Sequence, residues 1–128
     1  MKIAAFTLVV PDYDKAIDFY VSVLGFALLE DTKLSDTKRW VRVAPPGAET
    51  AILLAEPKND AERATIGNQT GGRVGFFLNV DDFEGAYALY LKSGVRFLES
   101  PRSETYGKVV VFQDPFGNKW DLIEPARD

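Results

Sequence analysis

The 128-residue chain contains no cysteine and no histidine. The first absence excludes a disulfide framework, a thiolate nucleophile, a zinc ribbon and a thiolate-held iron–sulfur cluster. The second removes the Ser-His-Asp relay, the imidazole general base and the commonest metal ligand, so any chemistry falls to Asp, Glu, Lys, Arg, Tyr, hydroxyls or backbone groups. No stretch approaches the roughly 20 apolar residues of a membrane helix. The apolar run from Ile3 to Val10 is too short for a secretion signal, and Pro11-Asp12-Tyr13-Asp14 stands where small cleavage-site residues would be. A cytoplasmic protein without a membrane partner is the expectation. Positive charge is in deficit, with 15 Lys and Arg against 19 Asp and Glu, and the net charge of −4 disfavours nucleic acid as a partner.

What is present is a globular composition. Hydrophobic residues make up 46% of the chain, nine Phe, five Tyr and two Trp among them. That supports one well-cored domain at this length. The chain is also internally repeated. Val10-Pro-Asp-Tyr-Asp-Lys-Ala16 aligns with Val80-Asp-Asp-Phe-Glu-Gly-Ala86 at an offset of 70; Gly25 pairs with Gly94 and Glu30 with Glu99 at 69; Leu54-Ala-Glu-Pro57 aligns with Leu122-Ile-Glu-Pro125 at 68. Two copies, 1–57 and 73–128, flank a connector, 58–72.

Each copy reads as βαβββ. The run Ile3–Val10 predicts a strand, and Asp12 or Asp14 can cap a helix running to about Leu24, stopped by Gly25. Asp82 and Gly94 bound the second helix in the same way. Three strands follow each helix: Phe26–Asp31, Lys38–Ala44 and Thr50–Glu56, then Val95–Glu99, Lys108–Gln113 and Lys119–Glu124, with Asp114-Pro115-Phe116-Gly117-Asn118 as a turn. The connector has no periodicity and reads as a loop over a cleft. Its Asn68-Gln69-Thr70 matches a glycosylation sequon, but without a secretion signal it is read as loop, and its glycines lack the Lys-Ser/Thr of a phosphate cradle.

The paired modules, the Leu24-Gly25-Phe26 after the first helix and the closing Asp114-Pro-Phe-Gly-Asn-Lys-Trp-Asp-Leu-Ile-Glu124 resemble the vicinal oxygen chelate superfamily, which groups glyoxalase I, extradiol dioxygenases, fosfomycin-modifying enzymes and bleomycin-binding resistance proteins. The resemblance implies an α+β fold of two βαβββ modules forming a curled mixed sheet around a cleft, helices outside, and a homodimer, with pairing of modules within one chain or across two left open. It also implies metal ligands on the first and fourth strand of each module. Those positions are Ala5, Leu53, Gly75 and Asp121. One carboxylate does not meet the needs of a divalent ion, so neither a metal site nor any cofactor is expected.

The strand period of two assigns further cleft-facing residues. Thr7 and Val9 join Ala5; Ala51 and Ala55 join Leu53; Arg73, Phe77 and Asn79 join Gly75; Lys119 and Ile123 join Asp121. With Val41 and Val43 in the core, Lys38, Trp40 and Arg42 face the cleft, and by the repeat Lys108, Val110 and Phe112 do likewise. Trp120 falls in the core. Ligand-binding candidates are therefore Thr7, Trp40, Arg42, Leu53, Arg73, Phe77, Asn79, Phe112 and Asp121. Asp121 is either a base or cation binder, or a structural ion-pair partner of Arg42, Arg73 or Lys119. Trp40 either stacks on a ligand ring or packs. Tyr106 is a proton-donor candidate or a cover for apolar edges. Ala5 and Gly75 make room for a ligand or let the sheets approach. The leading expectation is a metal-free binder of a small organic ligand, with an acidic surface suited to cationic compounds. The alternatives are a lyase, isomerase or dioxygenase of the same superfamily, metal-free or with a non-standard metal site, using Asp121 or Tyr106, and a noncatalytic partner domain.

Overall fold

The computed structural model describes residues 1–127, which form two compact units, Met1–Ile66 and a second beginning at Gly67. In the first, β1 (Ala5–Val9) leads to α1 (Tyr13–Ile17), a π-helical turn (Asp18–Val23), β2 (Ala27–Lys33), β3 (Arg39–Ala44), β4 (Ala51–Ala55) and a short α2 (Asp60–Arg63). In the second, β5 (Phe76–Asn79) leads to α3 (Phe83–Lys92), β6 (Arg96–Phe97), β7 (Arg102–Glu104), β8 (Gly107–Gln113) and β9 (Lys119–Pro125). The fold is α+β with two mixed sheets, ordered β1-β4-β3-β2 and β5-β9-β8-β6, β7 also pairing with β8. In each sheet the first and last strands of the unit are parallel neighbours and the other pairings are antiparallel.

The repeat in sequence becomes a repeat in bonding. Asp12 caps α1 by accepting from Lys15 N at 2.9 Å, and Asp82 caps α3 by accepting from Gly85 N at 3.1 Å. The glutamate of each Glu-Pro pair reaches a free amide at the helix start: Glu56 accepts from Tyr13 N and Glu124 from Phe83 N, both at 3.0 Å. An unpaired helix-start amide needs such an acceptor. Arg39–Asp14 at 2.9 Å recurs as Lys108–Glu84 at 2.8 Å. Both helices end at a glycine with positive φ, Gly25 at 84° and Gly94 at 87°, a backbone that costs a side chain but not glycine.

The central strands of each sheet bury one face. In the first unit Leu8, Val41, Val43 and Leu54 are fully or almost fully buried together with Tyr20. In the second, Phe76, Trp120 and Phe112 stack across β5, β9 and β8 with centroids 4.8 and 5.8 Å apart, and Tyr90 of α3 lies 6.2 Å from Phe112.

Three features depart from the sequence reading. The first helix is regular only to Ile17; Leu24 N then bonds Phe19 O, five residues back, at 2.9 Å. The connector contains α2, capped by Asn59 accepting from Glu62 N at 2.8 Å. The second strand of the repeat differs between units. β2 is continuous with a bulge at Leu29, between Leu28 and Glu30, whereas its counterpart splits into β6 and β7 around Ser100-Pro101, proline lacking a ladder donor.

Candidate functional site

In the first unit the strand registers put Thr7, Leu53 and Arg42 side by side across β1, β4 and β3. Trp40 lies two residues before Arg42 on the same face and keeps 38% of its surface exposed. Thr7, Trp40 and Leu53 line one open cavity of about 640 Å³, with Val9 and Ala55 beside them and Tyr13 and Pro57 at its edge. Its charged lining mixes Lys38, Arg39 and Lys58 with Glu56 and Glu62. Arg39 is already committed: Nη2 lies 2.7 Å from Asp31, Nη1 lies 2.9 Å from Asp14, and the guanidinium sits 5.2 Å from the Tyr13 ring centroid. The hydrogen bonds from Arg39 hold the Asp31 carboxyl below its ordinary range, against a smaller upward push from burial. Arg42 shares the face but not the cavity lining, and its Nε bonds Glu30 Oε1 at 3.0 Å.

In the second unit β5, β9 and β8 align Phe77, Asp121 and Val111. Phe77 is 63% exposed. Asn79 stands on the same face, opposite Ile123. Asp121 Oδ1 is closed off from solvent and has no hydrogen-bond partner, and Asp121 makes no ion pair among the described residues. Burial pushes its carboxyl above the ordinary range; Arg102 pulls it down and Glu99 pushes it up. Arg102 is held in place by others: its Nε lies 3.2 Å from both oxygens of Glu99, and its Nη1 lies 2.8 Å from Glu104 and 3.2 Å from the Tyr106 hydroxyl. Glu99 also accepts from Val111 N at 2.9 Å.

These placements correct several expectations. Phe112 does not share the Asp121 face: it lies opposite Trp120 on the buried side, with no exposed surface. Val110 and Lys108 follow it, opposite Leu122 and Glu124, while Val109, Val111 and Gln113 take the face assigned to them. The partners considered for Asp121 are occupied or absent, Arg42 by Glu30 and Lys119 by the Gly72 carbonyl at 3.1 Å. Arg73 is exposed ahead of β5 and makes no ion pair among the described residues. The space beside Gly75 belongs to Thr70, whose methyl would lie 2.6 Å from an added Cβ. Tyr106 is half exposed in the β7–β8 turn, its hydroxyl accepting from Arg102.

Tyr13, Arg39, Lys58 and Glu62 in the first unit, and Glu99 and Arg102 in the second, were not anticipated as site residues. The repeat carried a signal for Glu99, which aligns with Glu30 at an offset of 69, and both hold an arginine.

The fold agrees with what comparison with known proteins finds. A model of the Glyoxalase/Bleomycin resistance protein/Dioxygenase superfamily matches residues 2–122. The chain belongs to this superfamily. An uncharacterized protein of Shewanella frigidimarina is 48% identical over 125 residues, 96% of this chain and 93% of that one. Among solved structures, TnmS3, an antibiotic binding protein from Streptomyces sp. CB03234, is similar with a TM-score of 0.80 and 31% identity, covering 98% of this chain and 97% of that one. A superfamily member from Sphaerobacter thermophilus gives a TM-score of 0.79 and 32% identity, covering 97% of each chain.

The metal centre that the superfamily resemblance implies does not fit the residues at its four positions, Ala5, Leu53, Gly75 and Asp121, which offer a single carboxylate. Among the described residues no three Asp or Glu side chains gather where they could hold an ion. A divalent ion needs several such donors, so no chemical step is assigned to one.

Proposed function

We propose that the protein binds a small organic ligand with a planar aromatic part in the cavity of its first unit, without acting on it, and does so as a homodimer of the kind the superfamily resemblance implies. The observation carrying this reading is the open cavity of about 640 Å³ in which Trp40 stands beside Thr7 and Leu53. That volume is in the range of cavities that enclose drug-sized molecules, roughly 300–1,000 Å³. Trp40 offers a ring face for stacking, the β1 and β4 side chains supply an apolar floor, and the charges around them can orient a polar edge. The likeness to TnmS3, which is an antibiotic binding protein, supports the same reading.

Trp40 also provides the test. Trp120, the other tryptophan, is 4% exposed inside the Phe76–Phe112 stack and reports little on ligands. Titration with a panel of planar aromatic natural products and antibiotics is expected to quench Trp40 fluorescence saturably and raise the melting temperature for at least one class. Trp40→Ala is expected to weaken that ligand by about three- to tenfold, the worth of one aromatic pair. A panel that produces neither signal overturns the reading.

A further inference from the structure

We propose that the cavity of the first unit takes aromatic acids, ligands whose planar ring carries a carboxylate that Lys38 and Lys58 bind. This rests on the reading of that cavity as a ligand site and names the chemical class that fills it.

The two copies of the repeat separate the residues that hold the fold from those that do not. At an offset of 69, Arg39 corresponds to Lys108, and each bonds an acidic residue in the first turn of its helix, Asp14 and Glu84. At 68, Glu56 corresponds to Glu124, and each accepts from a helix-start amide. The same offsets carry Lys38 to Gly107, Trp40 to Val109 and Lys58 to Ala126. The second copy thus builds the corresponding strands and helix start without the two ammonium groups or the indole. All three of those side chains belong to residues lining the cavity of about 640 Å³.

The charges on that cavity are not equally free. Glu56 is fixed on Tyr13 N at 3.0 Å, and Glu62 accepts from Lys58 N at 3.3 Å. Arg39 is shared between Asp31 and Asp14. The ammonium groups of Lys38 and Lys58 make no hydrogen bond or ion pair among the described residues. Each stands on a flexible four-carbon stem, so it can follow a ligand's anion without breaking a contact of the fold. A ligand ammonium meets the opposite situation: the carboxylates are held by backbone amides, and the two mobile groups repel it. A ring seated on Trp40 with a carboxylate at its edge satisfies both the indole and the lysines. The net charge of −4 by itself favours a cation at long range, so a preference for the anion can arise only from these local groups.

The test titrates three probes built on one planar ring, 2-naphthoate, 2-naphthamide and 2-naphthylmethylammonium, into the full chain at neutral pH. Binding is followed by 1H–15N NMR, with the β3 and β4 amides and the Trp40 indole N–H as reporters. The carboxylate is expected to bind about five- to thirtyfold tighter than the amide, the worth of two exposed ion pairs, with the amine weakest. In the Lys38→Gln, Lys58→Gln double variant the carboxylate is expected to bind no better than the amide. Arg63→Gln, which removes an α2 charge outside the cavity lining, should keep the preference and so controls for overall charge. Equal binding of the three probes at Trp40 overturns the proposal and leaves the ligand-site reading intact. A preference for the amine does the same, as does a carboxylate preference that survives the double variant or disappears equally in Arg63→Gln. Absence of shifts from all three probes overturns the proposal and counts against the cavity itself as well.

Discussion

Single residues in this protein repeat their roles at matching positions, and Arg39, whose pair with Asp14 recurs as Lys108–Glu84, shows through its second partner, Asp31, what charge contributes. Arg39 bonds Asp31 through Nε and Nη2 at 3.1 and 2.7 Å and Asp14 through Nη1. The carboxyl of Asp31 is held below its ordinary value chiefly by those hydrogen bonds. With the folded value below the unfolded one, the unfolded chain binds more protons across the interval between them. Stability contributed by Asp31 is therefore complete above the unfolded value, about 3.9, and is lost as pH falls through the folded value. Asp31→Asn is expected to lower the melting temperature slightly at pH 7, since a partly exposed pair contributes at most about 1 kcal/mol. The same variant should lose less than the parent between pH 7 and pH 3. Equal acid sensitivity in parent and variant, in melts run at both pH values, would show that the bond does not persist in solution.

At the scale of the strand, one shift of register separates what the sequence told from what it concealed. The repeat offset falls from 70 at β1 to 69 after the helix and 68 at the last strand. Transferring Trp40 and Arg42 to β8 at 70 lands on Val110 and Phe112; the observed pairings, Arg42 with Leu53 and Val111 with Asp121, require 69. A slip of one residue exchanges the two faces of a strand. Alternation by itself put Thr7 beside Leu53 in the first sheet and Phe77 beside Asp121 in the second, and the Asp and Gly punctuation located both helices. What stayed hidden depends on contacts distant in sequence: the π turn after Ile17, the break at Pro101, and the engagement of Arg102 by three different residues. The face assignment has a mutational consequence. Phe112→Ala removes a ring stacked on Trp120 and near Tyr90, and should cost about 3–5 kcal/mol in urea denaturation. Phe77→Ala, on the opposite face, should stay within about 0.5 kcal/mol. Comparable losses at both positions would contradict the register.

On the scale of the whole molecule, duplication gives each unit its own core and its own hydrogen-bond ladder, so resistance to local opening should also be duplicated. In the first sheet β4 and β3 are flanked on both sides; in the second β9 and β8 are. Their inward residues, among them Val41, Leu54, Val110 and Leu122, have almost no exposed surface. Opening these strands requires breaking two ladders and exposing the core, whereas β7 spans only three residues, none of them buried, and pairs with β8 alone. Amide exchange follows the free energy of the smallest opening that frees the amide. Native-state hydrogen exchange is therefore expected to show two separate maxima of protection, on β3–β4 and on β8–β9, with β7 and the Lys33 end of β2 exchanging orders of magnitude faster. A single maximum in one unit would mean that the other derives its order from its neighbour rather than from its own core, and the equivalence implied by the repeat would then hold for backbone geometry but not for energy.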